Sequence, residues 1–163
     1  MTRESAEHRP SPRRAIVYLL GFLVITFGAA AFGAQFMPGP WYAALVKPAW
    51  TPPNWLFGPV WTVLYVLIAL SAWLVWRAQP RLSVPLGLWF AQLGLNAIWS
   101  WLFFGLERPG LAAIDIVALL VAIIATAVAF ARASRTAALL LLPYALWVGF
   151  ATALNIAIWR LNG

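Results

Sequence analysis

The stretch WYAALVKPAWTPPNWLFGPVWTVLY, residues 41–65, decides how the rest of the chain is interpreted. Prolines at positions 48, 52, 53 and 59 remove backbone donors and fix φ, so most of this stretch is not one continuous helix. The same residues include four tryptophans, two tyrosines and a phenylalanine. A loop in water gains little from so many aromatic rings. We therefore expect a stiff aromatic lid that closes one end of a helical bundle over a flat apolar ligand.

The composition is that of a membrane protein. Of the 163 residues, 64% are hydrophobic and 9% are charged, against about 45–50% and about 25% in an ordinary soluble domain. There is no cysteine, which excludes disulfides, thiolate nucleophiles and cysteine metal sites. The formal charge of +7 comes mostly from arginines at the ends of apolar segments, where membrane topology and lipid head groups account for them. We expect membrane lipid, and not nucleic acid, as a partner.

The chain divides into a basic arm and one membrane domain. Residues 1–14 are polar and basic, which predicts a disordered arm, and the domain covers residues 15–163. The first apolar run exceeds the about 7–15 residues of a secretory signal, so we expect it to remain as a helix. Five apolar segments approach the about 20 residues that cross hydrocarbon as a helix. The predicted spans cover residues 15–35, 59–76, 82–106, 111–131 and 136–159. The predicted fold class is therefore all-α, a five-transmembrane-helix bundle with the aromatic, proline-rich loop between helices 1 and 2.

Lysine and arginine are distributed unevenly between the two ends of this bundle. One end carries Arg3, Arg9, Arg13, Arg14, Arg77, Arg81, Arg132 and Arg135, and the other carries Lys47, Arg108 and Arg160. Cytoplasmic loops are enriched in these residues. The pattern predicts a cytoplasmic N-terminus, with the aromatic loop and the C-terminus on the opposite side.

The third span has two different faces. One face is aromatic with two amides, repeating at spacings of four and three: Pro85, Trp89, Gln92, Asn96, Trp99 and Phe103. For Gln92, an interhelical hydrogen bond and a ligand contact both stay open, whereas Asn96, next to Trp99 and Phe103, favours a cavity. The opposite face carries Gly87, Ala91 and Gly94, small residues that let another helix approach closely. We expect a homodimer through that face.

Aromatic and polar residues also share faces on two other spans. Trp61 and Tyr65 lie on one stripe of the second span. Tyr144, Trp147, Ala151 and Asn155 lie on one side of the fifth span, where Pro143 is expected to kink the helix. A cavity with indole walls and a few amide and phenol groups suits a large planar ligand, because the rings stack and the polar groups orient it.

Little equipment for conventional catalysis is present. The only histidine, His8, lies in the arm, and no carboxylate pair, catalytic triad, phosphate loop or metal cluster can be assembled. We therefore expect no metal and no required cofactor, and a bound tetrapyrrole would be held by its ring. Asp115 is interpreted as an interfacial carboxylate stabilised by the helix start or by a nearby base. Indoles donate electrons, so chemistry driven by light and oxygen on a bound chromophore stays open.

Three segments identify a family. KPAWTPPNWLFGPVWTVLY, FAQLGLNAIWSWLFFGL and PYALWVGFATALNIAIWRLN resemble the first loop with the second helix, the third helix and the fifth helix of the TspO/MBR family (tryptophan-rich sensory protein or translocator protein). The resemblance covers residues 15–163. It implies a dimeric five-helix bundle that binds porphyrins and, in some members, isoquinoline carboxamide or benzodiazepine drugs and sterols. The sterol motif of the fifth helix needs a tyrosine, whereas this chain has Ile156 and Ala157 before Arg160, so we expect poor sterol binding.

The resemblance also implies a ligand site and a set of functions. By position, the ligand pocket would comprise Trp50, Trp61, Tyr65, Asn96, Trp99, Phe103, Trp147, Ala151 and Asn155. Residues matching Trp50 and Trp147 are linked in bacterial relatives to light-dependent porphyrin breakdown, so these two would be catalytic if that reaction occurs. The leading hypothesis is a membrane protein that senses, sequesters or transports porphyrin intermediates, with a ligand similar to protoporphyrin IX. The alternatives are photo-oxidative porphyrin degradation and a dimeric scaffold that carries lipid or another small ligand.

Overall fold

The computed structural model describes residues 11–79 and 83–163. In this part of the chain the backbone is helical or irregular, with no β-strand, which confirms the all-α class. The elements in chain order are α1 (Pro12–Gly33), α2 (Pro40–Ala44), a 3₁₀ turn (Asn54–Leu56), α3 (Phe57–Ala78), α4 (Val84–Ser100), a π-helical segment (Trp101–Gly105), α5 (Pro109–Ala131), α6 (Arg135–Leu140) and α7 (Leu142–Asn162).

Prolines and serines mark where the helices begin. A proline occupies the first or second helical position of α1, α2, α4, α5 and α7, where its missing N–H costs no intrahelical bond. Ser11 caps α1 by accepting a hydrogen bond from the Arg14 N–H at 3.5 Å. Residues 12–14 are therefore helical, although the sequence placed them in the arm of residues 1–14. Residues 1–10 of that arm lie outside the described residues.

Several helical stretches have the length and composition of membrane spans. Those that qualify on their own are Pro12–Gly33, Asn54–Ala78, Pro109–Ala131 and Arg135–Asn162. Within residues 82–106, α4 continues directly into the π-helical segment. The last stretch is interrupted at Leu141, between α6 and α7. This interruption confirms the kink predicted at Pro143, which cannot donate the bond that would continue the helix.

The helices pack around a layer of fully buried side chains. Helix α4 lies against α5, α5 against α7, and α1 against both α3 and α4. Ile68, Trp89, Ile123 and Tyr144 are each 0% exposed and belong to one core cluster. Trp89 Nε1 donates to the Ile68 carbonyl at 3.0 Å, so this buried indole has its partner.

At the end where α1 begins, aromatic contacts hold α1 against α3. Tyr18 stacks on Trp76 with ring centroids 3.7 Å apart. Trp73 Nε1 donates to the Ala15 carbonyl at 2.7 Å, and the Arg77 guanidinium lies 4.7 Å from the centre of the Trp73 ring. A cavity lies at the opposite end of the bundle, under the residues that join α1 to α3.

Helix α4 shows the two faces that the sequence predicts. Trp89, Gln92 and Asn96 are 0%, 1% and 4% exposed, respectively. Gly87, Ala91 and Gly94 are exposed, and a methyl group added at either glycine would meet no other atom within 4 Å. The aromatic–amide face is thus turned inward, and the small-residue face is not packed against the described part of the same chain.

Candidate functional site: an aromatic cavity under the lid

A cavity of about 600 Å³ opens between the helices below the lid. Its walls come from α1, α3, α4, the π-helical segment, α5 and α7. Of the pocket residues inferred from the sequence, those that line it are Trp61, Tyr65, Asn96, Trp99, Phe103, Trp147, Ala151 and Asn155. The structure therefore brings together residues that lie up to 94 positions apart, from Trp61 to Asn155, in one concave surface.

Two stacked aromatic pairs form much of the wall. Trp61 and Tyr65 lie one turn apart on α3, with centroids 5.3 Å apart and ring planes inclined by 27°. Trp99 and Phe103 repeat the same distance and angle on α4 and the π-helical segment. Aromatic faces arranged in this way stack on flat ring systems. The wall thus favours a planar ligand over a branched one.

The π-helical segment turns two neighbouring phenylalanines into the cavity. Its defining bond runs from the Leu106 N–H to the Trp101 carbonyl at 2.8 Å, five residues back. Phe103 and Phe104 both line the cavity, with ring centroids 4.8 Å apart. In a regular α-helix, adjacent residues are separated by about 100°, and the wider turn of the π-helical segment reduces the angle between these two rings. Such segments occur frequently at functional sites.

Asn96 is the amide that a ligand can reach. Its Oδ1 accepts a hydrogen bond from the Tyr65 hydroxyl at 2.9 Å, which fixes the orientation of the side chain. Asn96 is 4% exposed and lines the cavity. With the oxygen engaged by Tyr65, the amide N–H groups remain to donate. The cavity therefore offers a hydrogen-bond donor at this point of its wall.

Asn155 has a different, structural role. Its Oδ1 accepts from Trp99 Nε1 at 2.9 Å, and its Nδ2 donates to the Pro109 carbonyl at 2.8 Å. One buried side chain thereby ties α7 to α4 and to the start of α5. It also holds the Trp99 indole in place against Phe103. Asn155 lines the cavity, but its hydrogen-bonding capacity serves the fold.

Trp147 and Trp50 occupy different positions relative to the cavity. Trp147 lines the cavity, whereas Trp50 does not and is 49% exposed. A turn explains this placement, because the Thr51 N–H and hydroxyl both bond to the Pro48 carbonyl, at 3.0 and 2.8 Å. Trp50 packs against Phe150 on α7 at 5.6 Å between centroids, and Phe150 lies 5.6 Å from Trp147. The inferred pair is therefore connected through Phe150 and is not in one pocket.

The lid, residues 34–56, covers the cavity with the residues that precede α2 and with Tyr42 of α2. Tyr42 is 5% exposed, lines the cavity and packs edge-on against Phe103 and Phe104. Burial raises the pKa of Tyr42, so its phenol stays protonated at neutral pH. Lys47 Nζ lies 4.8 Å from the centre of the Tyr42 ring and donates to the carbonyls of Ala43 and Leu45. A cation thus fastens the end of α2 over the aromatic cluster.

A side-chain clamp ties the lid to the end of α7. Asn162 Oδ1 accepts from the Val46 N–H at 2.9 Å, and Asn162 Nδ2 donates to the Val46 carbonyl at 2.9 Å. The same Nδ2 donates to Ile158 of its own helix at 2.8 Å. Sequence reasoning gave Asn162 no role, because a polar residue near the end of a span is also typical of an interfacial position.

Part of the wall was not predicted. The last turns of α1 and the following residues contribute small and apolar side chains: Phe27, Ala30, Ala31, Gly33, Ala34, Phe36, Met37 and Pro38. Gly105 admits the ring of Phe36, since a Cβ at Gly105 would lie 2.8 Å from Phe36 Cδ1. No polar marker distinguishes these residues from lipid-facing ones, so their sequence carries no signal for a binding wall.

The cavity wall is uncharged. None of the described residues that line it is an Asp, Glu, Lys or Arg. Asp115 lies nearly two helical turns inside α5, is 9% exposed and has a buried Oδ2 with no hydrogen-bond partner among the described residues. Lys47, one of the bases proposed to pair with it, bonds to lid carbonyls instead. The base-paired interpretation of Asp115 therefore does not fit the contacts of the described residues, and its stabilisation by the helix start stays a prediction.

Comparisons with known proteins agree with this architecture. The model of the TspO/MBR family matches residues 16–160. The chain is 45% identical over 153 residues to a tryptophan-rich protein TspO of Archaeoglobus fulgidus, covering 91% of this chain and 97% of that relative. It is 40% identical over 150 residues to the translocator protein of Homo sapiens, covering 88% and 89%. It is 42% identical over 137 residues to protein CrtK of Rhodobacter capsulatus, covering 82% and 86%. These matches extend across the whole helical bundle, and the chain is a multi-pass membrane protein that belongs to the TspO/MBR family.

Proposed function

We propose that this protein binds a tetrapyrrole of the porphyrin type in the cavity and thereby senses, sequesters or transports porphyrin intermediates. The observation that carries the proposal is the cavity of about 600 Å³ with its stacked aromatic walls. Ligand pockets commonly measure about 300–1,000 Å³ and combine apolar walls with a few placed polar groups. Trp61, Tyr65, Trp99 and Phe103 supply faces for a flat macrocycle, and Asn96 supplies the polar group.

The uncharged wall suggests how a porphyrin would be oriented. A carboxylate buried without a partner is strongly disfavoured, and the described wall offers no cation. Lys47 lies at the lid, beside Tyr42. We therefore propose that the two acidic side chains of the porphyrin point toward the lid, and that the macrocycle lies between the aromatic walls within reach of the Asn96 amide.

We further propose that the bundle crosses the membrane five times. The fifth span would be α4 with its π-helical continuation, Val84–Gly105, which as a helix measures about 30 Å, the thickness of the hydrocarbon core. The end opposite the lid carries Arg13 and Arg14 in the first turn of α1, Arg77 near the end of α3, Arg132 just after α5, and Arg135 at the start of α6. By the positive-inside rule this end, with the N-terminus, would lie in the cytoplasm.

The porphyrin site is tested by comparing the two tryptophans. We expect Trp147→Leu to weaken protoporphyrin IX binding by about tenfold, because an aromatic contact and apolar area are lost from the cavity wall. Trp50→Leu should stay within about twofold of the unmodified protein, since Trp50 lies outside the cavity. The measurement is a titration of the porphyrin absorbance band with purified protein.

Two outcomes would contradict the proposal in different ways. Equal losses in both variants would mean that the ligand contacts Trp50 directly and that this cavity is not the site as described. No porphyrin binding by the unmodified protein, together with co-purified lipid, would favour the lipid-carrying scaffold instead.

One observation supports a second function, light- and oxygen-dependent porphyrin degradation. The Trp147–Phe150–Trp50 series connects the cavity to an exposed indole through ring contacts of 5.6 Å. A tryptophan at the wall is placed to donate an electron to an excited porphyrin, and the exposed one to replace it. Under illumination in air, this function requires a loss of porphyrin absorbance beyond a protein-free control that Trp147→Phe or Trp50→Phe removes.

We also propose a homodimer through the small-residue face of α4. We expect Gly94→Leu to shift the dimer toward monomer by about tenfold or more, because a side chain forced between closely packed backbones costs about 1–3 kcal/mol. The measurement is the mass of the protein in detergent by light scattering. Ala118→Leu, at an exposed position of α5, is the matched control and should leave the mass unchanged. A dimer that survives Gly94→Leu would place the interface elsewhere.

A further inference from the structure

Two polar side chains at the centre of the bundle have no hydrogen-bond partner among the described residues. Gln92 is 1% exposed, and neither its Nε2 nor its Oε1 is bonded. Tyr144 is 0% exposed, and its hydroxyl is also unpaired. Two shorter buried side chains, Thr26 and Ser71, satisfy their hydroxyl groups on their own helices by donating to carbonyls at 2.7 Å. The side chains of Gln92 and Tyr144 are too long to bond to a carbonyl of their own helix in this way, because their polar ends lie far from their own backbone.

Both side chains lie directly beyond the floor of the cavity, which is the end farthest from the lid, where Asn96 and Val148 line it. Helices α4 and α7 both run toward the lid, as the contacts of the π-helical segment and of Asn162 with the lid show. Gln92 is one helical turn before Asn96, and Tyr144 is one turn before Val148, and both later residues line the cavity. Gln92 and Tyr144 do not line it. They therefore form a separate layer, one turn farther from the lid.

Tyr144 is also close to the polar group of the floor. Its ring lies 6.1 Å from that of Trp61 in the cavity wall. Its hydroxyl lies near the Asn96 amide without making a hydrogen bond of acceptable geometry. A small molecule hydrogen-bonded to Tyr144 would thus also lie next to the Tyr65–Asn96 pair, whose amide N–H groups are the hydrogen-bond donors of the cavity wall.

The chemistry of the two groups defines what they can bind. An amide offers donors and an acceptor, and a phenol offers one of each, so a common partner must both donate and accept. Tyr144 belongs to the same core cluster as Ile68, Ala69 and Ile123, which are each 0% exposed and apolar, and neither Gln92 nor the protonated phenol carries a charge that would balance an ion. We propose that Gln92 and Tyr144 form a buried hydration site, in which water bridges them beneath the cavity floor. Water in protein interiors takes this role, with about two to four bonds to polar groups that lack protein partners.

This site would give Gln92 a positioning role for the ligand. The Tyr65–Asn96 pair lies between the proposed water and the cavity. Hydrogen bonds that run from Gln92 through the water would therefore fix the Asn96 amide on the side away from the cavity. A hydroxyl group of a ligand would present the same donor–acceptor chemistry as water. The two sources differ in one respect, because water is present when no ligand is added.

The test uses Gln92→Met and Tyr144→Phe, singly and together, in the purified full chain without added ligand. If water fills the site, each single variant lowers the melting temperature by about 2–4 °C or more, the shift expected for one lost hydrogen bond in a chain of this size. The double variant should lose no more than the larger single loss, because both residues hold the same water. Leu86→Met, at a 1% exposed position of the same helix, is the control for the packing of a methionine.

The opposite sign overturns the proposal. If the two groups are dry, replacing them by apolar side chains of similar shape removes a buried polar cost and raises the melting temperature. A Gln92→Met loss no larger than that of Leu86→Met would also overturn it, as would effects that appear only after porphyrin is added. Water-to-protein magnetisation transfer to the Gln92 side-chain amide gives a second readout, expected in the unmodified protein and weakened by Tyr144→Phe. Absence of transfer in the unmodified protein counts against the site.

Discussion

Replacing Ala151 by tryptophan is expected to weaken protoporphyrin IX binding by about 100-fold or more, a loss of about 2.7 kcal/mol, while the protein stays folded. Ala151 lies one turn after Trp147 on α7 and lines the cavity. An indole at this position would occupy the volume that a macrocycle needs. The cavity of about 600 Å³ leaves room for the new ring, so the substitution is not expected to disturb the core. Porphyrin titration and the melting temperature of the same preparation measure the two effects separately.

The same helix provides a matched control. Ala153 is exposed, and Ala153→Trp adds the same side chain to the outside of the bundle. We expect its porphyrin affinity to remain within about twofold of that of the unmodified protein. If Ala151→Trp and Ala153→Trp bind porphyrin equally well, the ligand does not enter this cavity. If both lose binding together with their melting transitions, the effect is one of folding.

Replacing Asn155 by alanine is expected to lower the free energy of unfolding by about 2–5 kcal/mol. The substitution leaves the Trp99 Nε1–H and the Pro109 carbonyl without partners, and it removes the only side chain described here that joins α7 to both α4 and the start of α5. In hydrocarbon, no bulk water replaces those bonds. Reversible unfolding in mixed micelles by a denaturing detergent measures the change.

Asn96→Ala is the informative comparison for Asn155→Ala. Asn96 makes one side-chain hydrogen bond, with the Tyr65 hydroxyl, whereas Asn155 makes two that join α7 to α4 and to the start of α5. We expect a stability loss of about 1 kcal/mol or less and a porphyrin affinity about tenfold weaker. Equal stability losses in the two variants would contradict the separate roles assigned to the two asparagines.

The inward face of α4 could be predicted because its residues repeat with a helical period. Trp89, Gln92, Asn96, Trp99 and Phe103 differ chemically from lipid-facing residues, so the pattern predicts both the helix and the side that is buried. The extra residue of the π-helical segment could not be predicted in the same way. Phe103 and Phe104 are adjacent in sequence, and an α-helical pattern assigns them to different faces.

The different fates of the two asparagines depend on contacts between distant segments. The partners of Asn155 are a tryptophan 56 residues away and a carbonyl 46 residues away. Nothing in the local sequence distinguishes such an amide from Asn96, whose N–H groups are free to face the cavity. The family resemblance assigned both asparagines to the pocket by position, and both line the cavity. Only their hydrogen bonds distinguish the structural role of Asn155 from the binding role proposed for Asn96.

The position of Trp50 follows from a turn that the sequence indicates only in part. The prolines around Trp50 predict an irregular, stiff segment, but they do not predict on which side the indole emerges. In the structure, Trp50 lies in a turn closed by the bonds between Thr51 and Pro48, and its indole packs against Phe150. The part of the cavity wall formed by α1 could not be predicted for a different reason. Its alanines give the same sequence pattern whether they face lipid or a cavity.

The uncharged wall of the cavity has a consequence for selectivity. A ligand that enters from the bilayer moves from one apolar environment to another. The hydrophobic effect therefore contributes little to its binding free energy, just as it contributes little to the association of membrane helices. The binding free energy then depends on how well a planar ligand packs between the aromatic side chains and on its proposed hydrogen bond to the Asn96 amide. The protein should therefore discriminate by shape against the many lipids that surround it, and affinities measured in detergent will report a partition between the micelle and the protein.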